Sequence, residues 1–428
     1  MTRFWPDPLN QQKHQMKHLL PLSLTLSLLF FWAPAFTQEA LPEAEALRAA
    51  LARQDSFRRI DIFPAISYSP ETQLTLGAIG YYYFNMGGTR ELTRLSNVNF
   101  LAIYTTLAQI AIEFKWDIFT AGNRWRFRGE TFFNRWPDRN YGRGNMANAL
   151  VEEVDDDEAQ VVNYLRFDSD RIRFAPVILR KVRPGLYLGG QFDFETLYGE
   201  KALPDSYRFL NADSTSIIDL PVAGIRSGLG LQVLWDTRDY VLNPLKGTYL
   251  EFSTLHNLPA FGSDFTYHSF QVDARKYFRT VANHTLALRS MVNLRYSDGP
   301  IPLRGLSRVG GRDLARGYFK GTYQDDHMVV FQAEYRWPFW RPDNLAPFWQ
   351  LWKRLGIVVF ASTAQTFPEG GALDIGDFRT AVGTGLRILF NEDSRVNLRI
   401  DYALALSPDS AGPGKRQSGF YFYLAEAF

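Results

Sequence analysis

Hydrophobic and polar residues alternate with a period of two along several long stretches of the chain. In residues 107–118 a strand would carry only apolar side chains on one face and mostly polar ones on the other, since successive strand side chains point to opposite faces. The apolar set there is Ala108, Ile110, Ile112, Phe114, Trp116 and Ile118. The same alternation occurs in residues 123–134 and 394–404. The pattern predicts amphipathic β-strands.

Strand-like segments follow one another from residue 60 to residue 428, and sixteen of them can be delimited. They are 60–68, 73–84, 96–105, 107–118, 123–134, 161–175, 183–196, 216–235, 246–256, 263–278, 283–297, 327–338, 353–364, 376–390, 394–404 and 418–428. An even number is typical of single-chain bacterial outer-membrane barrels. A soluble sandwich would alternate as well, so the pattern alone does not say which face meets water.

The cost of burying charge in lipid favours a barrel with its polar face inward. Arg124, Arg126 and Arg128 share one face of the strand 123–134, and each would cost roughly 2–4 kcal/mol at the lipid midplane. Sixteen strands enclose an interior too wide for strand side chains alone to fill. We therefore predict an all-β fold, a 16-stranded antiparallel transmembrane β-barrel whose interior is either plugged by something other than the strand side chains or conducts ions.

The N-terminal residues resemble an export signal. Lys17 and His18 precede the apolar run Leu19–Trp32, and Ala33, Pro34 and Ala35 supply small residues for cleavage. We predict a signal peptide over 1–35 (with Met16 as a possible start), a short periplasmic segment over 36–59 and the barrel over 60–428. An uncleaved membrane anchor is the alternative. The expected location is the bacterial cell outer membrane.

Composition excludes several functions. The 428 residues carry a formal net charge of +2, with basic residues spread over many strands, which does not indicate nucleic-acid binding. The absence of cysteine excludes disulfides, thiol catalysis and cysteine metal sites. No GxSxG, HExxH or phosphate-loop motif occurs, and the later histidines, at 256, 268, 284 and 327, occupy unrelated positions. We expect no enzymatic activity, catalytic residue, cofactor or metal.

The connections between strands are of two lengths, as expected for a barrel with short periplasmic turns and longer outer loops. The long ones are 135–160, 197–215, 298–326, 365–375 and 405–417. Loop 135–160 contains six acidic residues between Glu152 and Glu158. A solvated charged loop is the simplest interpretation, and contact with divalent ions or lipopolysaccharide is the alternative.

Residues 305–338 indicate a particular family of outer-membrane barrels. This stretch, with Arg316-Gly317-Tyr318, resembles the sixth extracellular loop and following strand of the BamA/TamA superfamily of outer-membrane assembly factors and two-partner-secretion transporters (bacterial surface antigen barrels). Three further segments agree, namely 235–239 with Pro244 and Gly247, 141–145, and the last strand ending in Phe428. The short segment before residue 60 indicates the branch without polypeptide-transport-associated domains.

The resemblance implies that the loop folds back into the barrel and that Arg316 meets an acid on the inner wall. Glu334 lies on the polar face of strand 327–338 and is the predicted partner, with Gly317 and Tyr318 completing the motif. The family's aspartate and glycine in the next strand are replaced by Ser362 and Ala364, so we expect the contact of the loop with the wall to be weaker or to rely on Glu334 alone. A solvated Arg316 is the alternative.

The implied function is insertion of outer-membrane proteins or envelope maintenance. The implied partners are outer-membrane lipid, lipopolysaccharide and unfolded outer-membrane proteins, with no nucleic acid, and a monomer is expected. In the family, insertion is linked to a weak seam between the first and last strands, and Pro64 in the first strand removes one ladder donor. A passive outer-membrane channel is the main alternative, and a scaffold for a partner complex is another.

Overall fold

A computed structural model shows one large antiparallel sheet of sixteen strands. The structure describes residues 58–69, 73–87, 92–144, 150–154, 158–162, 165–198, 206–210, 217–221, 223–281, 284–339, 354–391, 395–407, 416–424 and 426–428. The predicted signal peptide 1–35 and nearly all of segment 36–59 lie outside these residues. In the described part no helix is long and apolar enough to span a membrane.

The sheet strands follow one another in chain order, each antiparallel to the next. They are β1 (Arg58–Ser69), β2 (Gln73–Phe84), β3 (Ser96–Thr105), β4 (Ile110–Phe119), β5 (Trp125–Asn140), β8 (Leu165–Arg183), β9 (Leu186–Tyr198), β12 (Gly224–Asp236), β13 (Gly247–Asn257), β14 (Tyr267–Arg279), β15 (Thr285–Tyr296), β18 (His327–Pro338), β19 (Leu355–Phe367), β20 (Arg379–Asn391), β21 (Val396–Ala405) and β22 (Ser418–Leu424).

Three short hairpins lie in the connections between sheet strands. They pair β6 (Leu150–Val154) with β7 (Glu158–Val162), β10 (Ser206–Leu210) with β11 (Ile217–Pro221), and β16 (Ser307–Val309) with β17 (Tyr323–Asp325). The predicted strand 216–235 is therefore wrong in part, because it joins β11 to β12 across a break. The predicted loop 135–160 also contains the end of β5 and one of these hairpins.

The sixteen-stranded antiparallel sheet predicted from the alternation is confirmed, and its two faces differ in chemistry. On β18, Gln332, Glu334 and Arg336 are buried on one face, whereas Trp337 on the opposite face is 52% exposed. We call the face that carries Glu334 and Arg336 the inner face, and the opposite one the outer face. Large apolar residues on the outer face are exposed, among them Leu231 and Phe420.

The two ends of the sheet overlap at one level. Phe63 on β1 packs edge-on against Phe390 on β20, with ring centroids 4.4 Å apart. Tyr81 and Tyr83 of β2 form a cluster with Val396 at the start of β21. By strand alternation the β1 and β2 residues belong to the inner face, and Phe390 and Val396 to the outer face. In the described residues the hydrogen-bonded strand order begins at β1 and ends at β22, with no ladder between those two strands.

Candidate functional site

The connection 297–326 between β15 and β18 carries the predicted motif, and its backbone is bent at several glycines. Gly310, Gly311 and Gly317 all have positive φ, between +94° and +113°, a region that residues with a Cβ rarely adopt. The short β16–β17 pairing closes the base of this loop. We call residues 310–320 the tip segment, and it lies against inner-face residues of the later strands.

Arg316 is the centre of the tip segment's contacts. Its guanidinium hydrogen-bonds Glu334 through one terminal nitrogen and Asp401 on β21 through the other. Its Cζ also lies 3.6 Å from the ring centroid of Phe360 on β19. The Arg316 side chain is only 1% exposed and both carboxylates are fully buried. Since an unpaired buried charge costs several kcal/mol, these contacts hold the tip segment in one place.

Asp401 corrects the expectation that Glu334 acts alone. Ser362, which stands where the family has an aspartate, is buried, and its hydroxyl makes no hydrogen bond with the described residues. The second acid comes instead from β21, two strands further along the sheet. Alternation in the sequence places Asp401 on the polar face of its strand, but nothing local indicates that this strand reaches the tip segment.

The Arg316 contacts belong to a larger network of buried charges on the inner face. Arg336 donates to the second oxygen of Glu334, with N–O distances of 2.9 and 3.0 Å. Arg387 on β20 donates to Asp401 at 2.6 Å, and the Arg399 guanidinium lies 3.4 Å from the same carboxylate. Glu334 and Asp401 thus each face at least two guanidinium groups, which compensate the charge of the buried carboxylates.

Tyr318 fixes the other side of the tip segment. Its hydroxyl donates to the Thr380 carbonyl at 2.7 Å and lies 2.7 Å from Ser407 Oγ. Burial raises the pKa of the Tyr318 hydroxyl above its ordinary value. The Gly317 amide donates to the Tyr421 hydroxyl at 3.0 Å. The three predicted motif residues therefore contact β20, β21, β22 and the connection after β21.

Replacing Tyr318 by phenylalanine should destabilise the folded protein by about 1–2 kcal/mol, because the Thr380 carbonyl loses its buried donor. Denaturant unfolding of the purified protein measures this change. Tyr323→Phe is the matched control, since the Tyr323 ring packs on Tyr318 at 5.2 Å but its hydroxyl makes no hydrogen bond with the described residues. Equal effects of the two substitutions would show that the Tyr318 hydroxyl contributes nothing.

The last residues of the chain also join the network. The predicted strand 418–428 ends at Leu424, and residues 426–428 turn onto the inner face. Glu426 accepts from Arg387 at 2.8 Å and from Asn397 at 2.6 Å. The Phe428 side chain packs with Tyr277 on β14 and Ala287 on β15. These contacts, which a continued strand could not make, explain why the ladder stops early.

Glu426→Gln should lower the free energy of unfolding by about 1–3 kcal/mol, because the buried Arg387 guanidinium loses a charged partner while the side-chain shape is kept. Thermal or denaturant unfolding monitored by heat-modifiable gel migration checks this. Asp377→Asn is the control, since Asp377 is 56% exposed and lies 3.9 Å from Arg379, a pair of little energetic weight. A Glu426→Gln effect no larger than the control would contradict the assignment.

Two other segments singled out by the sequence also lie in ion pairs. Arg143, in the glycine-rich stretch 141–144, donates to Asp325 at 2.8 Å and also contacts Asp326 at the base of the loop 297–326. Burial raises the pKa of Asp325 above its ordinary value, although the Arg143 guanidinium opposes the shift. Asp236, in the 235–239 segment, accepts from Arg238 at 2.9 Å. The Arg143 and Asp236 ion pairs therefore lie at opposite ends of the strands.

Comparison with known proteins agrees with this geometry. The Omp85 superfamily domain matches residues 102–428. BamA from Haemophilus ducreyi lacking POTRA domains 1-3 has a similar fold, with a TM-score of 0.51, 13% sequence identity, and coverage of 89% of this chain and 77% of that one. CdiB from Escherichia coli gives a TM-score of 0.50 at 12% identity, over 92% of this chain and 72% of that chain.

No curated protein shows significant sequence similarity to the chain. The two structural likenesses, both at low identity, concern the fold alone. The domain match covers most of the chain, including every strand that contacts the tip segment. The chain therefore belongs to the Omp85 superfamily, as an Omp85-type outer-membrane protein.

Proposed function

We propose that the sheet closes into a β-barrel in the outer membrane, with the tip segment inside its lumen, and that the protein acts in outer-membrane protein insertion or envelope maintenance. The apolar outer face and the charged inner face support the barrel, since each inner-face arginine would cost roughly 2–4 kcal/mol at the lipid midplane. Lipid and lipopolysaccharide would contact the outer face, and unfolded outer-membrane proteins would be the substrates of insertion.

The overlap of the two sheet ends is the observation that carries this proposal. At the level of Phe63 and Phe390, β1 and β20 touch through side chains, and no backbone ladder joins β1 to β22 in the described residues. A contact made of side chains opens at lower cost than a strand ladder. It also leaves the edge amides and carbonyls of β1 and β22 available for pairing with another strand.

Deletion of the gene tests the role. We expect lower amounts of folded outer-membrane proteins in the deletion strain, measured by heat-modifiable gel migration and quantitative proteomics of isolated outer membranes, with recovery on complementation. Unaltered amounts would overturn the insertion role and leave the fold untouched. Large, steady single-channel conductance in that case would indicate a passive channel.

A cross-linking experiment tests whether the overlapping ends must separate. The chain contains no cysteine, so a Phe63→Cys/Phe390→Cys variant provides a single reactive pair. Treating cells that depend on this variant with a short bismaleimide should reproduce the deletion phenotype, whereas the untreated variant should complement.

Val233→Cys/Phe252→Cys is the matched control, because these residues are exposed register partners on neighbouring strands within the sheet. Full activity after complete cross-linking of the Phe63–Phe390 pair would show that the sheet ends need not separate. Loss of activity with both pairs would show that cross-linking itself is harmful.

A further inference from the structure

A groove of about 430 Å³ lies across β14, β15, β18, β19 and β20. Most of the residues that line it are outer-face positions, since they alternate along their strands with buried inner-face residues such as Gln332 and Ser362. These outer-face residues include Leu288, Phe331, Ala333, Ala361, Thr363 and Thr380. The groove therefore opens toward the surface that the proposed barrel presents to lipid.

Small side chains produce this depression in the outer face. Ala333 on β18 and Ala361 on β19 are register partners, and Ala361 is exposed. Larger residues flank the two alanines in the neighbouring rows of β18, with Phe331 on one side and Tyr335 on the other. Phe331 also packs against Phe378, with ring centroids 6.3 Å apart. Aromatic rings therefore bound the groove in the direction of the strands.

The threonine hydroxyls in the lining do not make the groove polar. Thr363 and Thr380 are register partners on β19 and β20, and their hydroxyl oxygens lie 3.0 Å apart, so the two hydroxyls form a hydrogen bond with each other. Their methyl groups, together with Leu288 and Phe331, remain to contact a ligand. Such a lining favours hydrocarbon over a polar solute.

A lysine ammonium lies at the β14 edge of the groove, close to the connection 280–284. Lys276 donates to the Thr248 hydroxyl at 2.8 Å, and its nitrogen lies 5.7 Å from the Phe278 ring centroid. Arg289, the other basic residue of the described lining, directs its guanidinium to the inner face, and this lining contains no acidic residue. An ammonium beside an apolar groove is complementary to an anionic head group that carries a hydrocarbon chain.

The depth of the groove matches one leaflet of a bilayer. In the proposed barrel the short connection 280–284 lies on the periplasmic side. Near it the ring of His284 contacts Trp337 and lies 2.8 Å from the Tyr335 hydroxyl, an aromatic cluster typical of a membrane interface. Between Trp337 and Phe331, β18 rises roughly 15 Å along the membrane normal at a tilt of about 40°, which is half of a hydrocarbon core of about 30 Å.

We propose that this groove binds one anionic phospholipid of the periplasmic leaflet, with its phosphate at Lys276 and an acyl chain over Ala333 and Ala361. The position at the periplasmic end favours a phospholipid over lipopolysaccharide, which faces the cell exterior. The lack of an acid in the described lining favours a head group without an ammonium of its own. The inference rests on the proposed placement of the sheet in the outer membrane and does not depend on the role in insertion.

Native mass spectrometry of the purified full chain in detergent, titrated separately with phosphatidylglycerol and phosphatidylcholine, tests the proposal. We expect one phosphatidylglycerol to be retained at a lower concentration than phosphatidylcholine. Lys276→Gln should weaken the binding of phosphatidylglycerol about fivefold and that of phosphatidylcholine less, because one basic residue attracts the net negative head group. Ala361→Phe should strongly reduce the retention of both lipids, since its ring would fill the groove from the exposed face.

Each variant has a matched control outside the groove. Arg180→Gln is the control for charge, since Arg180 stacks on its register partner Trp125 at 5.6 Å and does not line the groove. Val233→Phe is the control for size, since Val233 is an exposed residue of β12.

Outer-membrane fractionation and heat-modifiable migration of the same proteins separate the two proposals. Equal retention of the two lipids, or equal effects of the groove variants and their controls, would overturn the phospholipid site. If the protein nevertheless fractionates with the outer membrane and migrates as a folded barrel, the proposed function would still stand. A protein found outside the membrane fraction would overturn both the barrel and the site.

Discussion

Arg316→Ala is expected to release the tip segment and to destabilise the protein by roughly 3–5 kcal/mol, the usual cost of removing one partner from a buried ion pair. Glu334 would retain Arg336 and Asp401 would retain Arg387, but the space left by the guanidinium would lie between two fully buried carboxylates. We also expect more frequent and larger openings in planar bilayers, since the tip segment would no longer be held against β18 and β21. Denaturant unfolding and single-channel recording measure the two effects.

Two further variants separate the ion pairs from general damage. Arg316→Lys keeps the charge but cannot donate to two carboxylates in the same planar geometry, so it should recover part of the stability. Combining Arg316→Ala with Glu334→Gln should cost less than the sum of the single changes, because the unpaired charge is removed with its partner. Unchanged conductance and unfolding in Arg316→Ala would show that the contact does not fix the loop.

Gly317→Ala should destabilise the tip segment by roughly 2–5 kcal/mol, through backbone strain and steric overlap together. Gly317 has φ of +113°, and an added Cβ would lie 2.9 Å from the Leu404 carbonyl carbon and 3.1 Å from the Ala381 Cβ. The Gly317 amide bond to Tyr421 would have to shift as well. Unfolding measurements and limited proteolysis of the loop 297–326 should both detect the change.

Gly262→Ala provides the comparison, because Gly262 also has a positive φ, +83°, but an added Cβ there would meet nothing within 4 Å. Its expected cost is only the backbone strain, about 1–2 kcal/mol. The difference between the two substitutions therefore measures how closely the tip segment packs on β20 and β21. If the two glycines responded equally, close packing at Gly317 would be disproved.

The strands could be predicted well because alternation is a local property. Residues 73–84, 96–105 and 327–338 form strands with the predicted bounds. The errors occur where local signals are ambiguous. A short apolar stretch, Ile217–Pro221, directly precedes β12 and reads as part of the same strand, although it pairs with β10 in a separate hairpin. Alternation does not show where one ladder ends and another begins.

The candidate site could be predicted only in part. The motif and the polar face of β18 pointed to Arg316 and Glu334, which the structure places in contact. The contribution of Asp401 depends on how the sheet curves and how far the loop reaches, and neither is encoded in local alternation. The inward turn of residues 426–428 depends in the same way on arginines from distant strands.

The packing of Phe63 on Phe390 has a consequence for the order of folding. These residues stand near opposite ends of the chain, so the contact requires almost the whole polypeptide to be in place. The contact between the two sheet ends must therefore form late, whichever end arrives last. An assembly intermediate would lack this contact, and trapping the protein early should leave Tyr81 and Tyr83 accessible to solvent.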